Sequence, residues 1–80
     1  MVTPEAIEGY LRRELTCDHL HVSGDGAHFE ATIVCADFIG KSRVARHQVV
    51  YAALGDRMRA EIHALSMRTI TPDEWAAQNA

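Results

Sequence analysis

The sequence predicts a small mixed α/β domain, of the α+β kind, with its elements in the order α-β-β-α-β-α. Three observations predict it. Apolar residues recur at helical spacing in two stretches and alternate with polar ones in three others. A glycine-rich segment, Ser23-Gly24-Asp25-Gly26, separates the first two alternating stretches and supplies residues that tolerate a tight turn. A threonine–proline–acid helix start occurs twice, at Thr3-Pro4-Glu5 and at Thr71-Pro72-Asp73.

At the first of these, Thr3 can cap, Pro4 suits the first helical position and Glu5 complements the helix dipole. Ile7, Tyr10, Leu11 and Leu15 then share a face, so the first helix is expected from about Pro4 to Leu15. Glu5, Glu8, Arg12 and Arg13 form its solvated side.

Leu20 and Val22 alternate with His19, His21 and Ser23 in a first strand. Phe29, Ala31, Ile33 and Cys35 alternate with His28, Glu30, Thr32 and Val34 in a second. Two hairpin registers keep apolar opposite apolar. A two-residue turn at Asp25-Gly26 pairs Val22 with Phe29, and a four-residue loop pairs Val22 with Ala27. A three-residue loop puts the faces out of phase and is rejected. In either accepted register His19, His21, His28 and Glu30 share the face away from Leu20 and Val22.

Ser42 can cap a second helix running from about Arg43 to Met58, with Val50, Tyr51, Leu54 and Met58 as its buried stripe and His47 one turn earlier. Gly55 disfavours helix by about 1 kcal/mol relative to Ala, so a break is expected near Gly55-Asp56. Ile62 to Ile70 reads as a third strand, with His63, Leu65 and Met67 on one side. A short last helix follows Thr71, anchored by Trp75. A strand–helix–strand connection within one sheet makes the second and third strands parallel. Parallel strands begin at the same end, so His63 is expected beside the glycine loop despite its distance in sequence.

The 80 residues allow one domain, 1–80, burying roughly 60–65% of the surface of the unfolded chain. Apolar residues at 48% and charged residues at 24% are ordinary for a folded domain and argue against disorder. No apolar run approaches the ~20 residues that span a bilayer. The first residues lack a basic segment followed by an apolar one, so a cytoplasmic protein without a membrane role is expected. In that reducing setting Cys17 and Cys35 are expected to be free thiols. The net charge of −3 disfavours a dedicated nucleic-acid coat but leaves room for a local basic patch.

Catalytic signatures are missing: there is no G-x-S-x-G, no H-E-x-x-H and no cysteine with an evident base partner. The expectation is a protein that binds rather than catalyses. His63, at the rim of a strand, reads either as a histidine that caps the core or as a metal ligand. His28 lies beside the loop near it. A His-rich sheet face without H-x₃-H or cysteine spacing gives no tight structural metal site. An incomplete site, finished by a partner, fits this shortage of ligands. Lys41, Arg43, Arg46 and His47 crowd the start of a helix whose dipole disfavours cations. They suit an acidic partner or weak nucleic-acid contact, with a salt slope near about −2.7 for three phosphate contacts. The alternative is a solvated basic turn offset by Asp37, Asp56 and Glu61.

The segment from Phe38-Ile39-Gly40-Lys41-Ser42-Arg43 to Tyr51-Ala52-Ala53-Leu54 resembles the hallmark of the BolA family. Ile62-His63-Ala64-Leu65-Ser66, followed by Thr71-Pro72-Asp73-Glu74-Trp75, resembles its carboxy-terminal signature. His21 to Phe29 is similar to the hairpin of the short bacterial IbaG-type branch. The resemblance implies a fold similar to the type II KH domain, with helices on one face of a three-stranded mixed sheet. It also implies a heterodimer with a monothiol glutaredoxin that shares a [2Fe–2S] cluster held by a glutaredoxin cysteine, glutathione and BolA-side ligands, with no cofactor in the isolated chain. Iron–sulfur trafficking and iron or stress regulation are the implied roles. The family's histidine ligand matches His63. Its second ligand comes from the loop between the first strands, where this sequence has no cysteine; His28 is the first choice and Asp25 a poor oxygen alternative. Some members are described as transcription regulators, which makes nucleic-acid binding through Lys41–His47 the alternative function. Gly40-Lys41-Ser42-Arg43 has only the first glycine of the KH domain's G-x-x-G loop. An adaptor that docks a protein on Arg43–His47 without metal is the third.

Overall fold

The fold is seen in a computed structural model that describes residues 2–79; the two ends of the expected domain, Met1 and Ala80, lie outside them. Thr3 caps the first helix, α1 (Pro4–Glu14), by accepting a hydrogen bond from the Ala6 amide. Its buried stripe is Ile7 and Leu11, with Tyr10 and Leu15 packed at the margin.

Strands β1 (Cys17–Gly24) and β2 (His28–Cys35) pair antiparallel, with Val22 opposite Ala31 and Gly24 opposite Phe29. Both expected registers are therefore corrected, although their phase holds and apolar still faces apolar. The Asp25 side chain decides the register. Its Oδ1 accepts from the amides of Ala27 and His28 at 2.9 Å each, and the Asp25 amide donates to the His28 carbonyl. Asp25–His28 thus closes as a unit, and β2 is shifted against β1 by two residues from the first expected register and by four from the second. At Gly24 a Cβ would lie 2.6 Å from Cδ1 and 2.9 Å from Cα of Phe29, so this crossing requires glycine.

A one-residue register shift between Cys17 and His19 then places Cys17 opposite Cys35, and the two form a disulfide with Cα atoms 4.2 Å apart. The expected free thiols are corrected; the cause is the strand pairing, which sets the two cysteines directly opposite each other.

A 3-10 turn at Ala36–Phe38 leads to α2 (Arg43–Leu54), capped by Ser42, whose Oγ accepts from the Ala45 amide. The helix ends at Leu54, four residues short of the expected Met58. Gly55 adopts φ +59, a left-handed conformation that favours glycine, before a single turn, α3 (Arg57–Ala60). Val50 and Leu54 are buried as expected, but Tyr51 is 44% exposed and leaves the stripe. Ile62 is buried just ahead of β3 (Ala64–Ile70), which pairs parallel to β2 from His28–Ala64 to Val34–Ile70. The sheet order is β1-β2-β3, and the parallel β2–β3 pair has the orientation expected of the crossover.

Ile7 and Leu11 of α1 and Val50 and Leu54 of α2 meet Leu20, Val22, Phe29, Ala31 and Ile33 in one core, giving a helical layer on one sheet face. The last helix, α4 (Pro72–Gln78), starts in a full capping box in which Thr71 and Glu74 exchange hydrogen bonds. It brings Trp75 into stacking contact with His19, ring centroids 4.7 Å apart, which covers one end of the other face.

Candidate functional site

Because β2 and β3 start together, His63 falls one residue before the first parallel pair and next to the Asp25–His28 loop. It is exposed and lines an open groove of about 580 Å³ with Val2, Asp25, Gly26, Ala27, Ala60 and Glu61. Its ring has no hydrogen-bond partner among the described residues, so both nitrogens remain available to a ligand.

Two carboxylates share the groove. The amides of His28 and Ala27 hold the Asp25 carboxyl below the usual carboxylate range, so it stays ionised, with Oδ1 engaged. Glu61 accepts from the Tyr10 hydroxyl at 3.1 Å, and the Arg57 guanidinium lies 4.2 Å from the centre of the Tyr10 ring. This Arg57–Tyr10–Glu61 chain ties the groove wall to α1. Glu61 was absent from the sequence-based candidates; its place beside Ile62-His63, at the entry to a strand, was the available signal.

His28 is exposed too, but it pairs with Ala64 rather than His63 and is not in the lining of the groove. Strand alternation puts it on the polar face with Glu30, Ser66 and Arg68. The two histidines are neighbours along the sheet edge, and only His63 lines the groove. Among the described residues no three His, Cys, Asp or Glu side chains cluster closely enough to hold a metal ion. What the groove offers is one free imidazole, a constrained Asp25 and Glu61, a donor set suited to a share of a site.

The basic segment sits at the other end of β3. Lys41 donates to the Asp37 carbonyl, and Arg46 donates to the carbonyls of Lys41 and Thr69 and to both Glu74 oxygens. Arg46 thus fastens α2 to β3 and α4. Arg43 is exposed and His47 half-buried, and neither has a side-chain partner among the described residues. Exposed Ile39 and Val44 join Tyr51 near the same helix, an apolar feature that the buried-stripe pattern did not single out.

Comparison with known proteins follows the same lines. The profile described as BolA-like protein matches residues 5–74. The DNA-binding transcriptional regulator BolA of Haemophilus influenzae is 46% identical over 63 residues, covering 76% of this chain and 61% of that protein; the chain thus spans less than two thirds of that relative. Acid stress protein IbaG of Escherichia coli strain K12 is 42% identical over 71 residues, covering 88% of this chain and 84% of that one. The crystal structure of a bol-like protein from Babesia bovis superposes with a TM-score of 0.88 at 36% identity, covering 100% of this chain and 96% of that chain. Among the described residues no helix is long and apolar enough to cross a membrane.

Proposed function

The chain belongs to the BolA-like family, and from that premise we propose that it is a non-enzymatic, cytoplasmic partner of a monothiol glutaredoxin. In the heterodimer it contributes His63 to a [2Fe–2S] cluster shared with a glutaredoxin cysteine and glutathione. The observation that carries the proposal is an exposed, unpartnered imidazole in an open groove whose own donors are too few to complete a metal site. An imidazole ligand in place of thiolate raises a cluster's potential and makes its ligation pH-sensitive. Asp25 and His28 are the two candidates for a second ligand: Asp25 shares the groove but offers a hard oxygen, while His28 offers nitrogen from the adjoining face. The role is iron–sulfur trafficking or iron and stress regulation, in keeping with a relative named for acid stress.

Co-expression with a monothiol glutaredoxin tests the proposal. The expected copurified complex contains iron and sulfide in equal amounts and absorbs in the visible range. His63→Ala is expected to abolish or shift those bands while the chain stays folded; an unchanged spectrum overturns the assignment. Asp25→Asn and His28→Ala then identify the second ligand by which of them moves the spectrum.

A second reading, a KH-like regulator that binds nucleic acid, is favoured by relatives named as DNA-binding regulators. With Lys41 and Arg46 engaged internally, few of the segment's cations remain for phosphates. Titration of labelled DNA decides it: absence of binding at ~50 mM salt removes this reading.

A further inference from the structure

The carboxyl end of β3 carries a second groove, of about 310 Å³, walled by Arg43, Arg46, His47, Arg68, Glu74 and Gln78. We infer that it binds a small phosphate-bearing anion, a function separate from that of the His63 groove.

The charge balance comes first. Three guanidinium groups face one carboxylate, an excess of two positive charges on a chain whose net charge is −3. Glu74 is already committed. It takes two hydrogen bonds from Arg46, at 2.7 and 3.2 Å, and a third from the Thr71 amide. Arg46 is committed too, through the carbonyls of Lys41 and Thr69. This pair therefore forms the wall of the groove and cancels its own charge.

The excess charge belongs to Arg43 and Arg68. Arg68 donates through Nη2 to the Gln78 Oε1 at 3.0 Å, a neutral acceptor that orients the guanidinium and leaves its charge uncompensated. Arg43 has no ion pair or hydrogen bond to its side chain among the described residues. It is the first residue of α2, where the helix dipole opposes a cation, so local stability does not account for it. His47 lies one turn further along the same helix face, half-buried and without a side-chain partner, and adds an N–H donor to the groove.

These groups match a phosphate in charge and geometry. Two guanidinium forks can each donate two parallel bonds to a tetrahedral oxyanion, and two excess charges balance a dianion better than a carboxylate. The volume lies at the small end of ligand sites, about 300 Å³, which admits a phosphate with a small organic remainder. Met67 and Ile70 are the apolar part of the lining, available to such a remainder. Inorganic phosphate and a nucleoside monophosphate are two sources of the same chemistry.

The test is an NMR titration of the full isotope-labelled chain with inorganic phosphate, with uridine monophosphate and with chloride as control, at low ionic strength. Saturable shifts centred on Arg43, His47, Arg68 and Thr69, produced by either phosphate compound and not by chloride, are expected. Tighter binding of the nucleotide assigns the apolar residues to its organic part, and equal affinity assigns the site to phosphate alone. Arg43→Gln combined with Arg68→Gln should weaken binding at least about tenfold, from the loss of two charge-assisted contacts. An unchanged melting temperature shows that this variant is folded, and single substitutions replace it if it is not. His63→Ala should leave phosphate binding unaltered. The inference is overturned by the absence of saturable shifts, by equal binding in the arginine variants, or by saturation with a DNA duplex while both small phosphates fail.

Discussion

At the carboxyl end of β3, Arg46 joins α2 to the Thr69 carbonyl and to Glu74, Thr71 and Glu74 close a capping box, and Cys17–Cys35 staples β1 to β2. At the amino end the fastenings are the Asp25 turn and the Arg57–Tyr10–Glu61 chain, and His63 stands exposed with no side-chain hydrogen bond among the described residues. The difference separates two tasks. Residues that hold the ends of distant segments together have their hydrogen-bonding capacity filled from within the chain. In the proposed heterodimer His63 has to keep its donors and acceptors free, and it needs a neighbour rigid enough to position it. The Asp25 turn supplies that rigidity without occupying His63. The same criterion splits the basic segment: Arg46 belongs to the scaffold, whereas Arg43 is free to bind.

The largest effect should come from unfastening the stapled end. Replacing Cys17 by Ser together with Cys35 by Ala opens a loop with a sequence separation of 18 residues. The expected loss is about 2–4 kcal/mol, read as a lower urea midpoint. Reductant should lower the wild-type midpoint and leave that of the variant unchanged. If the wild type is indifferent to reductant, the staple is not part of the native fold in solution, and the contrast between the two ends weakens.

Gly24→Ala attacks the other end. Its Cβ meets Phe29 at 2.9 Å from Cα, where backbone must yield. About 1–3 kcal/mol is expected from the overpacking. Amide shifts should concentrate on the Asp25–His28 turn and His63, with the Arg46–Glu74 region unmoved. Shifts spread evenly over both ends would show that the ends are coupled.

These elements differ in how openly the sequence announced them. Thr3, Ser42 and Thr71 are local signals, each satisfied within three residues, and all three cap as read. The neighbourhood of His63 was legible because the crossover rule converts element order into sheet position. Register was not, since alternation fixes the phase of a hairpin and leaves its pairing open in steps of two residues. The Asp25 side chain settles that choice through bonds no apolar pattern records, and the Cys17–Cys35 bond needs in addition the one-residue register shift between Cys17 and His19, which alternation does not announce either. Arg46 looked like its neighbours because two of its partners, Thr69 and Glu74, lie 23 and 28 residues away. Tyr51 shows the limit of a helical stripe: the pattern admits it, but the sheet beneath α2 covers only the arc of Val50 and Leu54.

The smallest effect isolates the Arg46–Glu74 contact. Hydrogen bonds from Arg46 and from the Thr71 amide lower the Glu74 pKa from the usual 4.5 to about 2. A carboxyl held low when folded contributes stability that is fully present above its unfolded value and lost as pH falls through the folded one. Glu74→Gln keeps an acceptor for the Thr71 amide but has no charge to titrate. Wild type should therefore melt above the variant at neutral pH, the gap should close between pH 4.5 and about 2, and the two curves should coincide below that range. Because Glu74 is 48% exposed, salt should narrow the gap at neutral pH without removing the capping hydrogen bond. Thermal melts across that range check both points. Curves that stay parallel from neutral to acid would mean that the Arg46 clamp acts through its carbonyl contacts alone, and that the stitched end does not depend on its ion pair.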